Sequence, residues 1–426
     1  MSSACVKSTS ISAQLVLRRE VCIGCAAPLR TQVFDFGSMP ISNSLLRHDQ
    51  IGKGEMFYPL RVMACDVCTL VQLAAPPPVE SHFHRDYVYF SSYSVSWLRH
   101  CADYTQVMIE RFALNAGDQI VEVASNDGYL LDFFKQREFS VLGIEPSESV
   151  AKAAQSKGIP TEIQFFGANT ARDLAARGIR PRLMVANNVF AHVSDLEDFV
   201  RGFAVLLSGD AVLTAEVHYF KDLFEKNQFD SFYHEHYSYY TVRAAERLFS
   251  RQGLRLFDVE RLPTHGGSLR LFVCRSDAGH APTPRLAAAL HEDDRFLRTA
   301  MSGMNDFQDR IIRTCDELRH FLVDVRRKGK RVGGFGAPAK AATLLNFARI
   351  TRDLLPYTVD SNPQKQNRYL PGVHIPILSP EHLKAECPDY IVILPWNLKS
   401  EIAHSLAGLR PSGTRFVCAI PQLEVF

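Results

Sequence analysis

The chain has 426 residues, with 48 basic against 46 acidic side chains and a formal charge of +2. That length exceeds one ordinary hydrophobic core and sets an expectation of two or three domains. The near balance of charge leaves no footprint for nucleic acid or an anionic membrane, no apolar run approaches the ~18 residues of a spanning helix, and ten cysteines do not read as a disulfide framework in a cytoplasmic-type composition.

Residues 1–19 lack a basic start followed by an apolar core, so they are expected to be a flexible leader rather than a secretory signal. Residues 20–78 carry two C-x2-C knuckles, Cys22 with Cys25 and Cys65 with Cys68, 39 residues apart. Four thiolates at this spacing suit one tetrahedral zinc. All four ligand positions are filled by sulfur, which leaves no place for a reacting water and makes the metal structural. The stretch between the knuckles alternates like short strands, and a module so small needs a metal to offset its thin core. Pro76-Pro77-Pro78 ends it.

Residues 79–280 begin with the aromatic stretch HFHRDYVYFSSYSVSW and continue into DQIVEVASNDGYLL. Ile120, Val121 and Val123 read as a buried parallel strand, and Ser125-Asn126-Asp127-Gly128 as a tight turn into a helix. A second strand ends at Glu145, 17 residues after Gly128, near the interval at which nucleoside-binding folds offer a carboxylate to ribose hydroxyls. A third ends at Asn187-Asn188 with His192 just beyond, and a fourth reaches Glu216. Strands alternating with helices imply a doubly wound α/β sheet with its ligand at the carboxyl edge. The turn lacks G-x-G-x-x-G, so it favours S-adenosylmethionine, which has no phosphates, with NAD as the next choice.

The stretch DSFYHEHYSYYT, residues 230–241, concentrates titratable groups. As a helix it would align Tyr233, His236 and Tyr240; as a strand it would align His234 and His236 with Phe232 and Ser238. Structural tyrosines and a metal site are alternatives, although H-E-H fits zinc spacing poorly. Proton chemistry fits best: a neutral imidazole abstracts, a neighbouring carboxylate orients or balances it, and tyrosines donate to a developing enolate. Further on, GLRLFDVERLPTHGGSLRLFVC reads as strand, turn and strand around His265-Gly266-Gly267. Residues 281–328 have the period of long connecting helices, at Leu286, Leu290, Phe296, Phe307, Ile311, Leu318 and Leu322. Residues 329–426 open with RVGGFGAPAKAATLLNF, where Gly333, Gly334, Gly336 and Pro338 shape a turn whose following helix offers free amides.

In order along the chain, CIGC, CDVC, YVYFSSYS, EVASNDGYLL, FYHEHYSYYT, HGGSLR, GFGAPAKAATLLN, KQNRYLPGVHIPI and LPWN resemble the three-domain sugar C-methyltransferases, in particular the C-3 methyltransferases of nucleotide-linked 4-keto-6-deoxysugars. The resemblance implies a zinc module, a central S-adenosylmethionine domain and a C-terminal Rossmann-like domain that helps hold a nucleotide sugar, expected to be dTDP-linked. It implies His236 as general base, with Glu235 and Tyr233 in the same motif, His192 as a second active-site histidine and Tyr87 from a flap-like segment. Cofactor positions fall at Ala124, Ser125, Asn126, Asp127, Gly128, Glu145, Phe165 and Asn187, with Ala124 where relatives often carry glycine and Tyr129 where threonine is more usual. Tyr89, His265, Gly336, Lys340, Lys365 and Arg368 are candidates for the substrate, the last three for its pyrophosphate, with solvated surface charge as the alternative. A different acceptor, methylated on oxygen or nitrogen, and a non-catalytic zinc and nucleotide-binding module are the competing readings. A monomer is expected.

Overall fold

The computed structural model describes residues 21–77, 92, 95–300 and 303–426. The expected leader, Tyr87 and Tyr89 lie outside the described residues.

Strands β1 (Thr31–Pro40), β2 (Phe57–Ala64) and β3 (Val71–Leu73) make an antiparallel meander. Val33, Phe34, Phe36 and Met39 on β1 are buried, so the meander has one apolar face to cover. The first cysteine knuckle precedes β1 in the chain and the second links β2 to β3.

The next strands are β4 (Gln119–Val123), β5 (Ser140–Ile144), β6 (Thr161–Glu162), β7 (Leu183–Asn187) and β8 (Val212–His218), followed by the short β9 (Ser238–Tyr239), β10 (Leu254–Leu262) and β11 (Ser268–Arg275). All but β9 form one seven-stranded sheet in the order β10-β11-β8-β7-β4-β5-β6, parallel from β6 to β8. β11 alone runs against its neighbours on both sides. Every residue of β7 is buried, the signature of a strand covered by helices on both faces. The chain leaves β4 toward β5 on one side and later returns to β7 on the other, so the topological switch point lies at the carboxyl end of β4.

β9 leaves this sheet and pairs with β3, which makes it the fourth strand of the N-terminal meander. The segment before it is neither of the regular forms expected. Phe229–Ser231 is one 3-10 turn and the backbone then turns again, with the His236 amide donating to the Tyr233 carbonyl at 3.0 Å. Tyr233 and His236 therefore meet, while Tyr240 packs with Ser238 and Phe190. His234 faces Tyr58.

Helices Pro284–Ala300 and Met304–Arg327 bury Leu286, Phe296, Phe307, Ile311, Leu318 and Leu322. Beyond them β12 (Val332–Phe335), β13 (Thr358–Val359), β14 (Arg368–Tyr369), β15 (Pro376–Leu378), β16 (Tyr390–Ile393), β17 (Arg415–Cys418) and β18 (Glu424–Val425) form the third sheet, in the order β14-β15-β13-β12-β16-β17-β18. Its five inner strands are parallel and its two edges antiparallel. One apolar cluster joins Phe36 of β1, Phe232, Phe307 and Leu344, so the N-terminal meander and the third sheet close on a shared core with the segment after β8 and the long helices. Among the described residues no helix is long and apolar enough to cross a membrane.

Candidate functional site

The turn after β4 holds three residues in the left-handed region: Ala124 at φ 58°, Asn126 at φ 50° and Gly128 at φ 76°. At Gly128 an added Cβ would stand 2.5 Å from Ile159 Cδ1, so the turn requires glycine there. Ala124 accepts the same hand with a side chain, at a cost of about 1–2 kcal/mol. Glu145, at the end of β5, is buried, and its carboxylate accepts from the amides of Asn126 at 3.0 Å and Ser147 at 2.8 Å. Asp127 accepts from Lys157 Nζ at 3.0 Å and from the Ser92 hydroxyl.

Around the same edge the buried atoms Ser125 Oγ, Asp127 Oδ1, Asn187 Oδ1 and Asn188 Oδ1 have no hydrogen-bond partner among the described residues. Side-chain oxygens left unpaired at a strand edge fit a polar ligand that brings donors. S-adenosylmethionine has a ribose diol, an ammonium and a sulfonium to meet an acidic rim, so these residues fit it. Phe165 lies on the surface, 61% exposed, shortly after β6. The sequence reading missed Glu122, an acidic residue inside the apolar run of β4. It is buried, and burial, with Glu145 and Asp127 nearby, holds its carboxyl well above the usual range.

The four cysteines of the N-terminal module converge. Their sulfurs lie within 4.8 Å of one another, with Cys22 and Cys68 at 3.4 Å and Cys25 and Cys65 at 3.5 Å. The amides of Gly24 and Cys68 point at Cys22 Sγ and Cys65 Sγ, as donors do toward thiolates. This donor set fits a four-sulfur zinc site.

Between the central sheet and the third sheet, side chains from four separate segments form one imidazole cluster. His236 is 3% exposed. Its Nδ1 donates to the Ser231 carbonyl at 3.2 Å, and since a carbonyl only accepts, Nε2 carries the lone pair. That lone pair accepts the Tyr233 hydroxyl at 2.6 Å. His192 lies 4.9 Å from His236 between ring centroids, and its Nδ1 donates to the Glu235 carbonyl at 2.7 Å. His218 lies 5.1 Å from His236 and 5.2 Å from His265. Burial holds His192 and His265 down at about 4, and Lys340 adds to the effect at His265. Burial also holds His236 and His218 well below the usual imidazole value, helped by the neighbouring rings. Every ring is therefore neutral at physiological pH, which is the state of a base ready to accept.

Glu235 does not orient either ring through its carboxylate. Oε1 accepts from the Asn43 amide and side chain, both at 3.0 Å, which ties the motif to the N-terminal module. His265, at φ 54°, stands in the turn between β10 and β11. Gly266 beside it packs against Trp396, whose indole N–H donates to Asp230 at 2.8 Å. Lys340 sits 4.2 Å from the Trp396 ring centre and donates to Asn397 at 3.0 Å. A cleft of about 330 Å³ opens here, lined by Lys226, Gln228, Gly266, Trp396 and Lys399 among others. Of the other substrate candidates, Lys365 donates to the Ala337 carbonyl at 2.9 Å with Asp360 at 4.0 Å, so it braces the turn that contains Gly336. Arg368 is half-buried on β14, at the edge of the third sheet.

His218 and Trp396 also escaped the sequence reading as site residues. The signal for His218 was its place at the end of β8, two residues after Glu216 and thus on the same side of the strand. Glu216 accepts from His100 at 3.0 Å and from Thr264 at 2.6 Å. Burial pushes its carboxyl up, but the hydrogen bond and charge of His100, with Arg270, leave it below its ordinary value.

Three family models match this chain: a "Putative zinc binding domain" over residues 22–83, a methyltransferase domain over 97–259 and a C-methyltransferase C-terminal domain over 263–421. C-methyltransferase NovU of Streptomyces niveus is 32% identical over 396 residues, which cover 92% of this chain and 93% of that protein. The chain belongs to the C-methyltransferase family. An uncharacterized methyltransferase of Bacillus pumilus (strain SAFR-032) is 30% identical over 91 residues, 21% of this chain and 41% of that protein. Magnesium protoporphyrin IX methyltransferase (ChlM) from Synechocystis PCC 6803 with bound SAH matches at TM-score 0.35 and 15% identity, covering 46% of this chain and 91% of its own. This C-methyltransferase uses S-adenosylmethionine in its central α/β domain and carries a zinc-binding module with four clustered cysteines.

Proposed function

We propose that this C-methyltransferase methylates C-3 of a nucleotide-linked, dTDP-type 4-keto-6-deoxysugar, as a step in deoxysugar biosynthesis. The observation that carries the reading is the Tyr233 hydroxyl on the lone pair of a buried, neutral His236 at 2.6 Å. Transfer to oxygen or nitrogen needs no base strong enough for a carbon acid, whereas a C–H bond must be acidified by an adjacent ketone and met by a base.

S-adenosylmethionine supplies the methyl group on a cationic sulfonium. The chain's own residues manage the proton and the oxygen. The C-3 proton goes to His236 Nε2 as its electron pair moves onto the ketone oxygen. Tyr233, freed from the imidazole by the incoming sugar, turns its O–H to that developing oxyanion. His192, whose Nδ1 donates to the Glu235 carbonyl, carries its lone pair on Nε2 while neutral and is an acceptor rather than a second donor to that oxygen. Lys340 and the neighbouring cleft, with Lys226 and Lys399 on its walls, suit a negative diphosphate and support a nucleotide bound there.

The test is incubation with isotope-labelled S-adenosylmethionine and a panel of nucleotide-linked ketosugars, with the products located by mass spectrometry and NMR. The expected outcome is a new C–CH3 group at C-3 and, without the methyl donor, loss of deuterium from C-3 to solvent. A methyl group on oxygen or nitrogen would refute the reading.

A further inference from the structure

Replacement of a C–H or X–H hydrogen by the methyl of a sulfonium releases one proton per turnover. The new C–C bond takes up the substrate electron pair, the S–C bond breaks onto sulfur, and the proton left on His236 is not returned to the product. A base buried to 3% exposure needs a route to discharge it.

His192 is an unsuitable exit, because its Nδ1 hydrogen bond ends on the Glu235 carbonyl, which cannot pass a proton on. Tyr233 faces the substrate. On the remaining side stand His218 and His265, neither with a side-chain hydrogen bond among the described residues. Their rings continue the line from His236 at centroid spacings of 5.1 and 5.2 Å, within reach of an N–H···N bond or one bridging water. The line ends beside Gly266, on the wall of the open cleft. Glu216 lies on the same side of β8 as His218 and accepts from Thr264, the residue before His265, so a buried carboxylate borders the path. Lys340 and His192 are the opposing positive or protonatable neighbours. Both disfavour a proton that lingers and so favour fast discharge.

We infer that His218, and beyond it His265, relay the reaction proton from His236 to solvent. His236 gives its N–H proton to one nitrogen of His218. His218 releases a proton from its other nitrogen to His265, and His265 releases one to water or a buffer base. The inference rests on His236 as the proton acceptor, but its test does not require the acceptor atom to be carbon, since methylation of any X–H group frees a proton.

The experiment compares His218→Gln with the full-length wild-type enzyme in single-turnover and steady-state methylation of whichever acceptor is turned over. A single-turnover rate close to wild type is expected, with kcat lowered on the order of tenfold or more and restored by imidazole buffer in a concentration-dependent way. Wild type should be insensitive to imidazole. His265→Gln should likewise lower kcat at saturating acceptor with recovery in imidazole buffer, and keeps the test open if the first variant misfolds, as judged by S-adenosylmethionine binding and thermal unfolding. Equal losses in both regimes without imidazole rescue, in whichever variant folds, would overturn the relay while leaving the position of methylation to the product analysis.

Discussion

At His236 two hydrogen bonds decide what the ring can do. The Ser231 carbonyl fixes the proton on Nδ1, and the Tyr233 hydroxyl occupies Nε2. Tyr233→Phe removes the donor for the oxyanion while leaving the base, so kcat should fall about 10²-fold with KM little changed. His236→Asn should abolish C-3 deuterium wash-out altogether. If Tyr233→Phe left kcat within a few-fold of wild type, the phenol would be no more than a cap. The pH profile carries a sign as well. Burial first, and the neighbouring His192 and His218 next, lower the His236 pKa well below 6.5, so the ring stays in its accepting form as pH falls from neutrality to that value. Wash-out rate should therefore show no fall centred on pH 6.5, and a limb there would mean a ring open to water. The meeting of His236 with Tyr233 was legible because they lie three positions apart, and turn and helix both bring such pairs together. The sequence could not show the partner of Glu235, whose carboxylate answers to Asn43, 192 residues away.

The zinc knuckles bear on catalysis through one strand. β3 follows Cys68 directly and pairs with β9, and the Leu73 amide donates to the Tyr237 carbonyl, next to His236. The zinc-binding module thus fixes the backbone that carries His236, the proposed base. Stripping the metal with a strong chelator, or Cys22→Ser, should lower the unfolding temperature and reduce kcat, by about 10²-fold if the base moves by ~1 Å. Added zinc should restore the stripped protein but not the variant. Full activity in metal-free protein would separate the knuckles from the site. At this scale the sequence was informative wherever periodicity existed: β4, β5, β7 and β8 read directly from their apolar runs. β9 did not, because a two-residue strand has no period, and its partner lies in another module.

Across the whole molecule the crevice is assembled from distant parts of the chain that share an apolar core. Thr343, on the helix after β12, donates to the Phe232 carbonyl at 2.6 Å, and Phe36 of β1 packs 6.0 Å from the Phe232 ring. These contacts are long-range, so composition and motif could announce three parts without showing how they close. The GFGAP turn and the LPWN end looked like separate features, yet both reach the histidines through Trp396 and Lys340. Gly266 is the tightest point of that closure. Its φ is 93°, and a Cβ added there would stand 2.6 Å from Trp396 Cζ3 and 2.9 Å from Gln228 Nε2. Gly266→Ala therefore has two costs: a left-handed backbone with a side chain, about 1–2 kcal/mol, and displacement of the indole that carries Lys340 and bonds to Asp230. If that strain falls on substrate binding, KM for the proposed nucleotide sugar rises about tenfold, while affinity for S-adenosylmethionine, expected at the carboxyl end of β4, is unchanged. Calorimetry with each ligand separates the two: equal weakening of both would place the defect in general folding, and a selective loss of sugar affinity would place it in the closure of the third sheet over the histidines.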